Sequence, residues 1–318
     1  MTATSKWVQA ARNDLVFQVA AQSLEGRLAA VLHYLPLAAE QAAEDLEYVH
    51  QLRVWTRRAT AAIRLYRDLV PWSRAVRLKE HLSLLRRACG EARDLDVMAA
   101  RVALNEDDPG AAHLLERVRG RRAESQQPLL DAFSQLDGGA KFERHMRKFI
   151  KKVRQRSKTD KLHAETFGRW ARKNVRPYVE QFLMDGRADF SNIEAIHRFR
   201  ISGKKLRYTM ELLAAGFPPR FERQLYPRVE KLQDRLGRIN DLATALTRFE
   251  HWLQETTEPA EKAHLEKLLD EERQQLDEAR TRFLTWWTPE RLSQFANAFD
   301  RLILGRKHRG EISGRMAS

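Results

Sequence analysis

Apolar residues recur with the period of an α-helix along almost the whole chain. In residues 78–92, and again in residues 225–239, small or apolar side chains are spaced alternately four and three positions apart. No stretch alternates apolar and polar residues for long enough to predict a β-strand. The chain has 14 Gly and 10 Pro in 318 residues, fewer than the many turns of a β-sandwich or barrel require. The pattern therefore predicts an all-α fold.

The helical pattern occurs twice along the chain. A displacement of 147 residues aligns 47–98 with 194–245 without a gap, so that EYVHQLRVWTRR lies on EAIHRFRISGKK and GEARDL on GRINDL. The same displacement aligns the remaining helical stretches. The sequence therefore predicts a duplicated unit of about five helices. By analogy with a symmetric dimer, we expect a pseudo-two-fold axis that brings shared polar features face to face.

The repeat also predicts the organisation of the chain. The first half-repeat bundle covers 1–157 and the second covers 158–304. The segment 305–318 has no apolar periodicity, and we expect it to be a disordered basic tail.

The charge of the chain predicts a polyanionic partner. Lys and Arg number 57 against 43 Asp and Glu, which gives a net charge of +14. Nucleic acid, an anionic membrane or a phosphate polymer would each match this charge. The single cysteine, Cys89, lies on an apolar stripe and excludes a disulfide scaffold. Since no apolar run has the length of a signal peptide or a membrane span, we expect a cytoplasmic protein without a membrane partner.

The positive charge is concentrated in stripes beside the apolar faces of predicted helices. On helical wheels, one stripe holds His50, Arg53, Arg57 and Arg64, and its repeat holds His197, Arg200, Lys204 and Arg207. The next predicted helices carry Lys79, Arg86 and Arg93 in the first half and Arg228, Lys231, Arg235 and Arg238 in the second. Cationic side chains three or four residues apart on one helix repel one another. The stripes are either solvated outer faces or one shared anion-binding surface, and the paired His-x-x-Arg pattern favours the second interpretation.

The two striped segments resemble a known family. EYVHQLRVWTRRATAAIRLY and EAIHRFRISGKKLRYTMELL, followed by GEARDLDV and GRINDLAT, look like CHAD domains (conserved histidine α-helical domains), and the resemblance extends to about residue 304. It implies two pseudo-symmetric helical bundles around a basic central cavity that binds inorganic polyphosphate, and an association with polyphosphate granules. The family motif adds Arg58 and Lys205 to the candidate binding residues.

The two copies of the motif differ at two positions. Thr60 stands where the second copy has Arg207, and Glu211 stands where the first copy has Arg64. We therefore expect the halves to contribute unequally.

A second basic segment lies between the two motifs. Residues 141–176 contain 14 Lys and Arg against 3 Asp and Glu. This segment is either a solvated linker or an extension of the polyanion track.

Two rival functions remain open at the level of sequence. A nucleic-acid-binding protein would share the same positive charge. A metal-dependent polyphosphate or triphosphate phosphohydrolase could use Asp94, Asp96 and Asp241, although an ion pair between these carboxylates and nearby arginines is the simpler role. The chain has neither HExxH nor GxSxG. We therefore expect a binding protein with no catalytic residue, metal or cofactor.

The two histidines predict a dependence on pH. Phosphate groups would favour the charged imidazoles of His50 and His197, whose ordinary pKa is about 6.5. Polyphosphate should therefore bind more tightly at pH 6 than at pH 8.

Overall fold

The computed structural model describes residues 5–103 and 108–303, and within them the chain is helical. The helices are α1 (Val16–Glu40), α2 (Glu47–Leu65), α3 (Trp72–Ala88), α4 (Gly90–Val102), α5 (Pro109–Glu124), α6 (Gln127–Gln135), α7 (Ala140–Arg156), α8 (Phe167–Asp185), α9 (Ile193–Leu213), α10 (Tyr226–Glu255), α11 (Pro259–Trp286) and α12 (Pro289–Ile303). The predicted all-α class is confirmed. The predicted tail 305–318 lies outside the described residues.

The helix boundaries repeat along the chain. α2 and α9 begin and end about 147 residues apart, and the short 3₁₀ turns that follow them, Arg67–Leu69 and Ala214–Gly216, are displaced by that number. α3 and α4 of the first half correspond to the continuous α10, and α5 and α6 correspond to α11. These boundaries agree with a duplicated unit. The pseudo-two-fold axis itself stays a prediction.

A short antiparallel bridge ties the start of α1 to the start of α8. The backbone N–H of Val16 donates to the carbonyl of Glu165 at 3.0 Å, and the N–H of Phe167 donates to the carbonyl of Asp14 at 2.8 Å. The bridge therefore satisfies backbone groups that would otherwise be unpaired at both helix starts.

Two hydrophobic cores hold the helices together. The larger core takes buried side chains from both half-repeats, and the second lies among α4, α5, α10 and α11 around Leu114, Phe249, Trp252 and Leu265. Both cores therefore combine helices of the first half with helices of the second. No helix in the described part of the chain is long and apolar enough to cross a membrane.

A glycine sets the closest approach in the second core. A Cβ atom on Gly110 of α5 would overlap the carbonyl oxygen of Ala260 and the Cβ of His264, both in α11. Next to it, the carboxylate of Asp108 accepts a hydrogen bond from the N–H of Gly110 at 2.8 Å and one from Nδ1 of His264 at 2.9 Å. α5 therefore packs against α11 with its N-terminus capped.

Candidate functional site

A cavity of about 190 Å³ opens between α2 and α9, and we call it the α2–α9 cavity. Its walls come from α2, α3, α8 and α9: Arg57, Thr60, Ala61, Arg64, Arg86, Tyr178, Ile201, Lys204, Lys205, Tyr208 and Thr209. Five of these side chains are cationic and none is a carboxylate. Candidate residues of both half-repeats thus meet at one place.

The two helices that supply most of this lining start in the same way. Asp45 accepts a hydrogen bond from the N–H of Glu47 at 2.8 Å at the start of α2, and Asn192 accepts one from the N–H of Glu194 at 2.8 Å at the start of α9. The apolar face of each helix is buried in the larger core. With the helices fixed in this way, Arg57 and Arg64 of the first stripe and Lys204 of the second line the cavity.

In each half, an arginine of the cationic stripe has an aspartate in its surroundings, and one of these two pairs is an ion pair. Nη2 of Arg53 lies 3.7 Å from Oδ1 of Asp94, as the sequence predicted for this carboxylate. Burial and the charge of Arg57 lower the pKa of Arg53, and Asp94 opposes them. Burial likewise lowers the pKa of Arg200, and Asp241 opposes it. Arg53 and Arg200, which align in the repeat, therefore have aligned acidic neighbours.

Lys204 has the least favourable surroundings for a cation in this region. Burial, followed by the charges of Arg200 and Arg57, lowers the pKa of Lys204 to about 8, and Asp241 only partly opposes them. Within residues 5–103 and 108–303, no carboxylate oxygen lies within 4.0 Å of its Nζ. A bound anion would favour the charged ammonium group of Lys204 and raise its pKa.

The two motif histidines occupy different surroundings. His50 is half-buried, and burial and the charge of Arg93 lower its pKa, while Glu47 opposes them. His197 is exposed. Neither side chain lines the α2–α9 cavity. His50 lies close to the cations Arg53, Arg57 and Arg93. No contact in the described residues brings His197 to these cations.

A buried carboxylate explains the difference between the halves. Glu211 is 1% exposed and accepts hydrogen bonds from Nε of Arg58 at 3.0 Å and from the hydroxyl of Tyr226 at 2.8 Å. Its Oε1 also lies 3.6 Å from Nη1 of Arg207. Arg58 and Arg207 therefore share one buried negative charge inside the protein. Arg64, at the aligned position, lines the cavity instead.

The candidate cations of α10 lie elsewhere. Arg228 lines a separate cleft of about 210 Å³ with Arg220 and Arg301. Arg235 stacks on the ring of Trp286 at 4.5 Å. Lys231 is exposed, and the structure places it in neither cavity.

A larger cavity of about 760 Å³ brings Arg93 close to Arg238. Asp96, Asp234 and Asp241 also line it, so its charge is mixed. The stripe on α10 therefore does not join the α2–α9 cavity.

The basic segment 141–176 forms α7 and much of α8. Its cations line an open groove of about 390 Å³, which includes Arg147, Lys151, Arg154 and Lys158, and Nη2 of Arg154 lies 2.6 Å from Oε2 of Glu25. This groove lies between α1 and α7 and is separate from the α2–α9 cavity.

The phosphohydrolase hypothesis requires a group of metal ligands. In the described part of the chain, no three His, Cys, Asp or Glu side chains come close enough to hold a metal ion. Asp96 is buried and accepts a hydrogen bond from Nε of Arg122 at 2.6 Å. Its carboxylate therefore has the ion-pair role that the sequence favoured for this cluster.

Sequence reasoning missed the uncharged residues of the α2–α9 cavity. Thr60 and Tyr208 lie on the same helical sectors as the cationic stripes, so the wheel could have included them. Tyr178 enters from α8, and only the packing of α8 against α9 brings it there. No signal in the sequence points to it.

Comparison with solved structures supports the helical architecture. The chain is similar to the crystal structure of the CHAD domain from the plant Ricinus communis, with 20% identity, a TM-score of 0.66 and coverage of 94% of this chain and 97% of that chain. It is also similar to PptA from Streptomyces chartreusis, with 16% identity, a TM-score of 0.58 and coverage of 86% and 99%. At these identities the likeness shows a common fold.

The family assignment comes from the sequence. No curated protein matches the chain at a significant level. A family model described as the CHAD domain matches residues 22–250, which is well over half of the chain and includes both striped helices. The chain therefore belongs to the CHAD domain family.

Proposed function

We propose that this protein binds inorganic polyphosphate through the α2–α9 cavity and that it associates with polyphosphate granules in the cytoplasm. The observation that carries the proposal is the set of cavity cations: Arg57, Arg64, Arg86, Lys204 and Lys205. Within the described residues none of them has a carboxylate oxygen within 4.0 Å. Membership of the CHAD family, in which polyphosphate binding is a family property, supports the same ligand.

The chemistry of the cavity suits a chain of phosphates. Arginine guanidinium groups offer planar, two-pronged donors to phosphate oxygens, and lysine ammonium groups offer movable point charges. Thr60 lies in the same wall, but its hydroxyl already donates to the backbone carbonyl of Thr56 at 2.7 Å, so the cationic side chains supply the donors. A phosphate polymer has no bases, so these donors are sufficient for its recognition.

Nucleic acid is the second candidate, because two tyrosine side chains line the cavity. Tyr178 and Tyr208 could stack against a base. Competition separates the two ligands. If polyphosphate is the ligand, it should displace labelled DNA or RNA far more effectively than DNA displaces labelled polyphosphate, and the reverse order would favour nucleic acid.

The decisive experiment measures the affinity for long-chain polyphosphate at several salt concentrations. The variant Arg57→Met/Lys204→Met removes one cavity cation from each half and should lose at least about tenfold in affinity. The control Lys262→Met/Lys267→Met removes the same net charge from exposed positions of α11 and should stay within about twofold. Equal losses in both variants would refute the cavity as the site.

We propose binding without turnover. The phosphohydrolase alternative predicts that Mg²⁺ or Mn²⁺ supports the release of phosphate from polyphosphate and that Asp94→Asn abolishes it. We expect no release above the uncatalysed background with either metal. Release that disappears in Asp94→Asn would establish an enzyme instead.

A further inference from the structure

Lys204 lies in the wall of the α2–α9 cavity, half-buried but open to it. Arg200 and Arg207 flank it on α9, and Arg57 faces it from α2. Asp241 of α10 is the acidic group whose charge acts on it. Its ammonium group is therefore accessible from the cavity while cations surround it on two helices.

The cavity is also arranged to hold a small phosphate-bearing molecule next to this amine. Arg57 and Arg86 enter it from α2 and α3, and Lys205 enters it from α9. These groups attract anions of the size of a phosphate monoester, and the cavity volume of about 190 Å³ has room for such a molecule. An acyl phosphate combines the anion that the cations attract with a carbon atom that an amine attacks.

We propose that Lys204 is a site of covalent acylation by small acyl phosphates, and that its acylation weakens the binding of polyanions to the α2–α9 cavity. The chemical step depends only on the cavity and its cations. The regulatory consequence rests on the proposed function.

The step is a transfer of an acyl group to nitrogen. The lone pair of Nζ attacks the acyl carbon and forms a C–N bond, while the C–O bond to the phosphate breaks and its electron pair leaves with inorganic phosphate. The proton that Nζ loses passes to the departing phosphate or to water. The product is a neutral amide, so the cavity loses one positive charge.

The surroundings of Lys204 also favour the reactive form of its amine. With burial and the neighbouring arginines lowering its pKa to about 8, an appreciable fraction of the amine is unprotonated near pH 7.5. An ordinary lysine with a pKa of about 10.4 has about a thousandth in that form. Only the unprotonated amine is a nucleophile.

The chain provides matched internal references. Lys205 lines the same cavity but is exposed, and Lys231 is exposed on α10 outside it. The purified full-length protein is incubated with acetyl phosphate at pH 7.5, and tandem mass spectrometry follows the acetylation of each lysine with time. We expect Lys204 to react on the order of tenfold faster than Lys205 or Lys231.

A second reagent separates reactivity from attraction by the cavity cations. An uncharged N-hydroxysuccinimide ester of acetic acid should also prefer Lys204, but by a smaller factor, because the cations do not attract it. Tripolyphosphate should protect Lys204 from acetyl phosphate and leave Lys231 unprotected. Acetyl phosphate should lower the polyphosphate affinity of the wild-type protein, whereas the affinity of Lys204→Arg, whatever its starting value, should be the same before and after treatment, because its side chain has no amine to acylate.

The outcomes distinguish this inference from the proposed function. Rapid acetylation of Lys204 without protection by tripolyphosphate or polyphosphate would support the acylation site and overturn polyphosphate as its occupant. Acetylation of Lys204 no faster than that of Lys205 and Lys231 would overturn the inference, even if polyphosphate binds with the expected affinity.

Discussion

Arg57 and Arg58 follow one another in α2, but their guanidinium groups have different surroundings. Arg57 lines the α2–α9 cavity, whereas Arg58 pairs with the buried Glu211 and stacks on Trp55 at 4.8 Å. Removal of Arg58 leaves a buried carboxylate without its closest cation, and this is costly in a low-dielectric environment. The same substitution at adjacent positions therefore tests binding and stability separately.

For Arg58→Ala we expect a loss of about 3 kcal/mol in the free energy of unfolding, measured with urea. Arg57→Ala should change it by less than about 0.5 kcal/mol but weaken polyphosphate binding about tenfold. Adding Glu211→Gln to Arg58→Ala should restore part of the stability, because a neutral amide still accepts from Tyr226. Equal destabilisation by the two alanine variants would contradict this assignment.

Lys204 gives the binding a pH dependence at the alkaline end. In the free protein its pKa is about 8, since burial, Arg200, Arg57 and Arg207 lower it against the opposing charge of Asp241. Bound phosphate favours the ammonium form and raises this pKa, so binding takes up a proton above pH 8. Affinity should therefore be level just below pH 8 and fall by up to about tenfold per pH unit above it.

Titration of polyphosphate affinity from pH 6 to pH 10 at constant salt measures this dependence. Lys204→Arg keeps its charge throughout and should show no fall between pH 8 and pH 10. Because burial and Arg93 lower the pKa of His50, its own contribution should appear only toward the acid end. A wild-type profile that matches Lys204→Arg would show that Lys204 takes up no proton on binding.

At the scale of elements, the close contact of α5 with α11 depends on glycine at position 110, which has no side chain. A Cβ on Gly110 would meet backbone and Cβ atoms of α11, which cannot move away as a flexible side chain can. We expect Gly110→Ala to lower the free energy of unfolding by about 1–3 kcal/mol, measured with urea. Polyphosphate affinity should not change, because the contact lies in the second core and the cavity lies beside the larger one.

The same helix offers a control for this substitution. Gly120 has no atom within 4 Å of the position that a Cβ would take. Since alanine favours a helix over glycine by up to about 1 kcal/mol, Gly120→Ala should stabilise the protein. If both alanines stabilise it, the close approach of α5 and α11 is wrong.

The helical elements could be predicted because their information is local. The four-and-three spacing places the apolar face of α2, and the same spacing places Arg53, Arg57 and Arg64 beside it. Which group a side chain contacts depends on how a neighbouring helix packs against its own helix, and a local sequence pattern does not contain this information. Arg58 was predicted as a ligand-binding residue, but whether it contacts Glu211 depends on how α2 crosses α9. Arg235 likewise carries the right charge but lies on Trp286.

At the scale of the whole molecule, the net charge of +14 should make binding strongly dependent on salt. Each phosphate neutralised by a cation releases bound counterions, so affinity falls linearly with salt on logarithmic scales. A variant with methionine at Arg57, Arg64, Lys204 and Lys205 should show a shallower slope, by up to about one unit per cation removed.

A matched variant with methionine at Arg147, Lys148, Lys151 and Lys152 of α7 tests the second basic segment. Tripolyphosphate is short enough to occupy the cavity alone, so its slope should not change in this variant. For long-chain polyphosphate we expect a shallower slope, as the polymer extends over α7. If the salt dependence of tripolyphosphate binding changes as much in this variant as in the cavity variant, the cavity is not the preferred binding site.

The two shared cores have a consequence for the newly made chain. α4 and α5 leave the ribosome with apolar faces that α10 and α11 later cover. Leu114, for example, lies in the same core as Leu265, which is synthesised about 150 residues later. At ordinary rates of translation this interval is roughly 8–30 s, during which the exposed faces are prone to aggregate. A nascent chain that stops at residue 157 would lack the side chains that α10 and α11 contribute to the second core. The first copy of the repeat therefore cannot bury the apolar faces of α4 and α5 in this way before the second copy has been synthesised.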